Sequence, residues 1–158
     1  MEIISVDGWY LLLRWSHLLA GVTWIGLLYY FNFVQGEWFK ETDASAKTAA
    51  VQKLVPRALW WFRWSAMFTF LAGTLILISK GMKGWEIYAT SWGILILTGA
   101  TLGTLMFLNV WMIIWPAQQV VIASTNQVAE GGEALPDAAG CAAKAALASR
   151  TNTLFSIP

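Results

Sequence analysis

Three long stretches of the chain are rich in apolar side chains and contain no Asp, Glu, Lys or Arg, at residues 15–36, 64–79 and 87–129. A helix of roughly 20 apolar residues crosses a hydrocarbon core of about 30 Å. The pattern therefore predicts three membrane-spanning helices, at residues 9–34, 57–79 and 88–115.

Two prolines mark the predicted ends of these helices. Pro56 fits a helix start, where its missing N–H has no cost. Pro116 either closes the third helix and turns the chain out of the membrane, or kinks it. Residues 1–116 would form the membrane domain, and residues 117–158 a surface-helical tail with a turn at 130–136. The tail becomes apolar again near Phe155, as if a fourth helix began there and were interrupted.

Aromatic residues cluster at the ends of the predicted spans, at Trp9, Tyr10, Trp15, Tyr29, Tyr30, Phe31, Trp60, Trp61, Trp64, Trp85, Tyr88, Trp111 and Trp115. Such belts are typical of the two membrane–water interfaces. The composition agrees, because 58% of residues are hydrophobic and 12% are charged, about half the charged fraction of a soluble domain. The fold class expected is an all-α integral membrane protein with three transmembrane helices and a helical tail.

Charge predicts the orientation and excludes one class of partner. Seven of the ten Lys and Arg residues lie between residues 35 and 63 or in the tail, which predicts that these segments are cytoplasmic and that the N-terminus is outside a bacterial-type inner membrane. The formal net charge of +1 offers no electrostatic footprint for nucleic acid. The lipid bilayer is the expected partner.

His17 and Cys141 are the only histidine and the only cysteine. The chain therefore has no internal disulfide, no zinc site of several Cys and His ligands, and no haem held by two of its own histidines. Its carboxylates lie in the loops, and nucleotide-binding and hydrolase motifs are missing. A self-contained catalytic site is not indicated, and whether the chain is an enzyme stays open.

His17 is the first candidate for chemistry, because an ionisable residue inside a membrane span is expensive and often functional. Helical periodicity places His17, Gly21 and Trp24 on one stripe. A haem needs a neutral imidazole nitrogen for its iron and small side chains where the ring edge passes. The alternative is a hydrogen-bonded histidine near the membrane surface, with Gly21 serving close helix packing.

Arg14 lies one turn from His17 and could neutralise a haem propionate, or anchor the helix by snorkelling. Arg57 and Arg63 are also expected to snorkel toward the headgroups. A methionine thioether could be a second iron ligand, although methionine usually serves packing; the candidates are Met67, Met82, Met106 and Met112.

Small residues predict close helix packing, at Gly99 and Gly103 in the third helix and at Ser65, Thr69 and Gly73 in the second. Asn109, deep in the third helix, is expected to hydrogen-bond to another helix rather than to a substrate. Asn32 lies near the end of the first helix, where we expect it to be solvated.

Several runs of the chain resemble the N-terminal membrane domain of the urate hydroxylase (cytochrome c-linked urate oxidase) family, at residues 13–34, 54–64, 103–111, 115–119 and 148–158. In that family the membrane domain is longer, and its fullest members carry a cytochrome c domain after it. The chain would correspond to the first portion of the membrane domain. The resemblance implies a redox function with cytochrome c as a partner, and urate as the family's substrate.

The seven-residue spacing from His17 to Trp24 is also similar to the four-helix membrane protoporphyrinogen oxidases. In those proteins the first-helix histidine is a haem ligand, which implies the same role for His17. A lysine near the start of their third helix is also implicated, and here the nearest lysine is Lys83. This departure leaves the second axial ligand open.

Two functions follow as hypotheses. In the first, the protein is a membrane redox module that binds b-type haem through His17, with Arg14, Gly21 and Trp24 around it, and relays electrons to cytochrome c or quinone. In the second, it is a non-catalytic accessory subunit of a larger membrane complex, with other membrane subunits as partners.

Overall fold

Four long helices make up the chain in a computed structural model that describes residues 6–157. Helix α1 covers residues 6–41 and α2 covers Ala44–Gly81. A short 3₁₀ segment, Trp85–Ala89, leads into α3 at Ser91–Ala129, and α4 covers Ala138–Phe155. The first five residues of the predicted membrane domain and Pro158 lie outside the described residues. No strand occurs among the residues described.

The first three helices are long and apolar enough to cross a membrane, which confirms the predicted fold class. Tyr10 and Tyr30 belong to opposite aromatic clusters of α1 and are separated by about 30 Å at the α-helical rise per residue. Trp92 and Trp115 of α3 are separated by about 35 Å in the same way. Both separations match the thickness of a hydrocarbon core.

We name the two aromatic clusters after one member each. The Tyr10 belt contains Trp9, Tyr10, Trp85, Tyr88 and Trp92; the Trp60 belt contains Tyr29, Tyr30, Trp60, Trp61, Trp64, Trp111 and Trp115. Contacts between helices hold each cluster together: the Lys80 ammonium lies over the rings of both Tyr10 and Trp92, and Trp64 packs edge-on against Trp111.

All three spanning helices extend past the Trp60 belt, so the predictions from the two prolines were wrong in part. Pro56 lies in the first turn of the regular α-helical segment Val55–Gly81, as predicted, but the continuous helix α2 begins earlier, at Ala44. Pro116 does not end α3, which continues to Ala129; the alternative of a kink at Pro116 stays a prediction. Each proline follows a π-helical segment, Ala50–Leu54 or Asn109–Ile114. A proline cannot bond to the carbonyl four residues earlier, and the wider π turn at that carbonyl lets the helix continue.

The other end of α3 differs from the prediction by one turn. Residues 88–90 precede the helix instead of starting it. Thr90 caps the helix, because its hydroxyl accepts a hydrogen bond from the backbone N–H of Gly93 at 3.1 Å. Threonine is a favoured residue at this position because it satisfies an N–H that the first turn leaves free.

The core of the bundle fills the half that lies toward the Trp60 belt. Its most deeply buried side chains include Leu28 of α1, Phe62 and Ala66 of α2, and Val110 of α3. In a bilayer, helices associate through close packing and interhelical hydrogen bonds more than through apolar burial. The half toward the Tyr10 belt is packed less completely and contains the cavity described below.

Helix α4 packs against α3 and is held there by an asparagine pair. Asn152 is fully buried; it accepts a hydrogen bond from Asn109 Nδ2 at 2.8 Å and donates one to the carbonyl of Met106 at 3.0 Å. The predicted interhelical role of Asn109 is therefore confirmed. The expectation that Asn32 is solvated was wrong, because Asn32 is half-buried and donates to Ser149 Oγ of α4 at 2.7 Å.

Candidate functional site

A cavity of about 990 Å³ lies between α1, α2 and α3, toward the Tyr10 belt. This volume is at the upper end of the range for small-molecule and cofactor sites. All four predicted site residues line it, namely Arg14, His17, Gly21 and Trp24. The end of α4 reaches the same cavity through Phe155 and Ser156. The stripe of α1 recognised in the sequence therefore faces one cavity, which is partly open to the outside of the bundle.

His17 is held against α2 by a hydrogen bond. Its Nδ1 lies 2.9 Å from the backbone carbonyl oxygen of Thr69. A carbonyl can only accept, so Nδ1 donates, and the neutral imidazole keeps a free lone pair on Nε2. Nε2 has no hydrogen bond to any residue that the structure describes. This is the arrangement in which metal-binding histidines are commonly found: one ring nitrogen fixed by a carbonyl and the other available.

Gly73 makes this approach of His17 to α2 feasible. A β-carbon at position 73 would lie 2.9 Å from His17 Cε1 and 3.0 Å from His17 Nδ1, closer than side chains tolerate. Thr69, one turn away, is buried and its hydroxyl donates to the Ser65 carbonyl at 2.8 Å. The small residues of α2 thus provide the close packing predicted for them. The group that packs closely against Gly73 is the imidazole ring of His17.

Gly21 and Trp24 form the wall of the cavity on the far side of His17 from Arg14. A β-carbon at Gly21 would make only an ordinary contact with Thr69, at 3.7 Å. Trp24 is 4% exposed, and its indole Nε1 is buried with no hydrogen-bond partner among the described residues. A buried N–H without an acceptor is unusual and unfavourable.

The glycine pair of α3 lines the cavity instead of packing against a helix. Apart from its chain neighbours and the backbone of its own helix turns, a β-carbon at Gly99 or at Gly103 would have no atom within 4 Å of it in the described part of the chain. Both residues line the cavity. The close helix packing predicted for this pair therefore does not occur within the described part of the chain, and packing against another subunit stays a prediction. The glycines leave a flat, open wall opposite His17.

Two cations lie at the end of the cavity near the Tyr10 belt. Arg14 and Lys80 both line it, and each lies 5.9 Å from the centroid of the Tyr10 ring. Lys80 is also 4.7 Å from the Trp92 ring centroid. In the part of the chain that the structure describes, the one ion pair joins Lys40 and Glu37, so neither cation of the cavity has a carboxylate partner.

Sequence reasoning missed Lys80 and named Lys83 instead, which is exposed and does not line the cavity. The periodicity of α2 contained the signal. Thr69, Gly73 and Lys80 are separated by four and seven residues, which places them on one face of a helix. The tight contact of Gly73 with a side chain could not be foreseen, because spacing alone does not show which helix lies opposite.

Of the four candidate methionines, Met106 alone lines the cavity, and it is 3% exposed. Met82 and Met112 are largely exposed on outer faces of the bundle, and Met67 does not reach the cavity. Within residues 6–157 no three His, Cys, Asp or Glu side chains come together as a metal site. The cavity walls therefore present two side chains that could bind iron, the imidazole of His17 and the thioether of Met106. Lys80 lies at the end of the cavity near the Tyr10 belt.

Comparison of the chain with protein-family models, with curated proteins and with solved structures gives no significant match. The similarity to the urate hydroxylase membrane domain therefore stays a prediction from the sequence.

Proposed function

We propose that the protein is a membrane redox module that binds a b-type haem in the cavity between α1, α2 and α3, with His17 as an iron ligand. The observation that carries this proposal is the fixed imidazole of His17, whose Nδ1 bonds to the Thr69 carbonyl at 2.9 Å while Nε2 stays free in the lining of a cavity of about 990 Å³. A bound haem would supply reversible one-electron exchange at its iron.

The walls of the cavity fit a flat macrocycle with an apolar body. Gly99 and Gly103 leave open space on the α3 side, where the face or edge of a ring could approach the backbone. Met106 is the thioether-bearing residue of the cavity wall and would be the candidate for a second iron ligand. Thr69 would fix the ring orientation of His17 through the hydrogen bond to Nδ1.

The charged end of the cavity fits the carboxylates of such a ligand. Arg14 and Lys80 lie there without a carboxylate of the described chain to neutralise them. Charge-assisted hydrogen bonds from guanidinium or ammonium to carboxylate are about twice as strong as neutral ones. The two cations would hold the propionates at the membrane interface and leave the apolar body of the ligand between the helices.

This placement suggests the direction of electron transfer. His17 lies seven residues from Tyr10, about 10 Å along the helix from the belt. If the charge bias sets the orientation, the haem would lie near the outer face of a bacterial-type inner membrane, within reach of a soluble acceptor such as cytochrome c. The sequence resemblance to urate hydroxylases suggests urate as the substrate whose oxidation supplies the electrons.

Titration of the purified full chain with haemin tests this proposal. We expect wild-type protein to bind haem with a low-spin b-type absorption spectrum and the His17→Ala variant to lose it. The matched control is Ser16→Ala, which changes an exposed neighbouring residue of α1. Folded wild-type protein that binds no haem would overturn the proposal.

A second candidate function is that of an accessory subunit. The specific observation is again at Gly99 and Gly103, whose face on α3 is bare of contacts and has the GxxxG spacing that accepts a partner helix. Gly99→Leu on this face would abolish assembly of a complex if the partner is a helix; because Gly99 also lines the cavity, assembly of wild-type protein in the absence of haem is the measurement that distinguishes the two functions. Recovery of the chain as a monomer that binds haem would argue against this role.

A further inference from the structure

Arg63 of α2 is enclosed by tryptophan rings at the opposite end of the bundle from the cavity's cations. Its Cζ lies 3.9 Å from the ring centroid of Trp115, 5.1 Å from that of Trp111 and 5.8 Å from that of Trp64. The residue is half-buried, and its predicted reach toward the headgroups stays a prediction. Stacking on aromatic faces is a favourable setting for a guanidinium.

The donors of this tryptophan-enclosed arginine have no acceptor. Arg63 Nε and Trp111 Nε1 are buried with no hydrogen-bond partner among the described residues, whereas the terminal amino groups of Arg63 are not among the buried atoms. No carboxylate among the side chains that the structure describes pairs with Arg63. A membrane-embedded charge normally pairs with another group, so the cluster lacks an anion.

The depth of the cluster indicates where that anion comes from. Trp64, Trp111 and Trp115 belong to the Trp60 belt, which lies at the level of the lipid headgroups if the belts mark the two interfaces. Beyond this belt α3 becomes polar from Gln118 onward. The accessible terminal amino groups of Arg63 are therefore at the depth of lipid phosphates.

We propose that Arg63, with the rings of Trp64, Trp111 and Trp115, binds the phosphate of an anionic phospholipid. The guanidinium presents paired N–H donors that match the geometry of phosphate oxygens. Most of the chain's cations lie on this side of the bundle, the side that the charge bias assigns to the cytoplasmic leaflet, where anionic lipids attract basic segments. This site is separate from the haem cavity and does not depend on it.

Full-length protein in nanodiscs provides the test. Wild-type protein is reconstituted in phosphatidylcholine alone or with phosphatidylglycerol, and retained lipid is counted by native mass spectrometry while the unfolding temperature is recorded. We expect selective retention of phosphatidylglycerol and a higher unfolding temperature in its presence. Arg63→Gln should weaken this binding by about tenfold or more, which corresponds to about 1.4 kcal/mol.

Arg57→Gln is the matched control, because Arg57 is an exposed arginine of the same helix with no aromatic ring stacked on it. Its affinity for phosphatidylglycerol should stay within about twofold of wild type. If both variants lose the same affinity for phosphatidylglycerol, the lipid responds to the total positive charge and not to Arg63 in particular, and the proposal is overturned. Unchanged binding in Arg63→Gln would also overturn it.

Two further arms keep the test decisive. If Arg63→Gln does not fold, Arg63→Lys retains the charge without the planar fork and should bind more weakly than wild type. Inorganic phosphate should not displace the lipid. If it does, the site binds a free anion, and the proposal that it binds a phospholipid is contradicted. Wild-type protein with no preference for phosphatidylglycerol over phosphatidylcholine would refute the proposal without any variant.

Discussion

Gly73 and His17 occupy the same narrow space between α1 and α2, where a β-carbon on residue 73 would lie 2.9 Å from the imidazole Cε1. We therefore predict that Gly73→Ala displaces the ring, breaks its bond to the Thr69 carbonyl and lowers haem affinity by about 10- to 100-fold, the usual cost of losing a partner of a metal-binding histidine. Equilibrium haem titration measures this.

Gly26→Ala is the control for that variant. Gly26 is an exposed glycine of α1, and its β-carbon would have no other atom within 4 Å among the described residues. Alanine there should leave haem affinity unchanged and stabilise the helix by about 0.5–1 kcal/mol. If Gly73→Ala binds haem as well as Gly26→Ala does, the close contact with His17 has no role in ligand binding.

The two cations of the cavity should recognise the carboxylates of the ligand. We predict that Arg14→Gln and Lys80→Gln each weaken haem binding by about tenfold, because each removes a charge-assisted hydrogen bond. Neither substitution should alter the affinity for haem dimethyl ester, which has no free carboxylate. Lys83→Gln, at an exposed lysine outside the cavity, serves as the control. Equal losses for haem and its ester would indicate a general structural effect.

The buried pair of Asn152 and Asn109 should stabilise the attachment of α4. Asn152→Ala would leave the Asn109 amide and the Met106 carbonyl without their partners, at a cost of about 1–3 kcal/mol in the free energy of unfolding. Denaturant unfolding in detergent measures this cost. Thr151→Ala removes a hydroxyl that bonds within its own helix and should change stability much less. Similar stabilities for both variants would contradict the role of the pair.

Asp43 caps α2 and should make the start of that helix sensitive to acid. Hydrogen bonds from the Ser45 hydroxyl and the Ala46 backbone N–H hold the pKa of Asp43 below its usual 3.8. Because the folded-state pKa is depressed, the cap stabilises the folded state above the usual pKa and is lost as the pH falls through the lowered value. We expect the protection factor of the Ala46 amide, the factor by which its exchange is slowed relative to an unfolded amide at the same pH, to fall at that pH in wild type.

The variant Asp43→Ala should show the same low protection factor at all pH values, whereas Asp43→Asn should retain a pH-independent cap. An acid-induced change that persists in Asp43→Asn would assign the transition to another group.

The membrane spans could be predicted because they depend on composition alone, as in the uncharged residues 15–36. The extensions of the helices beyond the bilayer were missed because Pro56 and Pro116 were interpreted as boundaries, whereas π-helical turns carry the helix past each of them. The alanines between residues 44 and 50 are strong helix formers, and this signal favoured an earlier start of α2.

The α1 side of the candidate site could be predicted because the residues of one helix face follow from a 100° rotation per residue. This rotation alone was sufficient to place His17 and Trp24 on the same face of α1. The α2 and α3 sides could not, because the register between helices depends on packing that spacing does not encode. The packing of the three helices was needed to show that the cavity lining includes Gly73, Lys80 and Gly99.

The most direct test of the haem proposal is chemical rescue of His17. A dithionite-reduced minus oxidised spectrum is recorded for wild type and for His17→Ala, before and after addition of imidazole. We predict a b-type band in wild type, its loss in His17→Ala, and its return with imidazole, which would occupy the position of the missing side chain. A band of wild-type intensity in His17→Ala without imidazole would contradict ligation by His17.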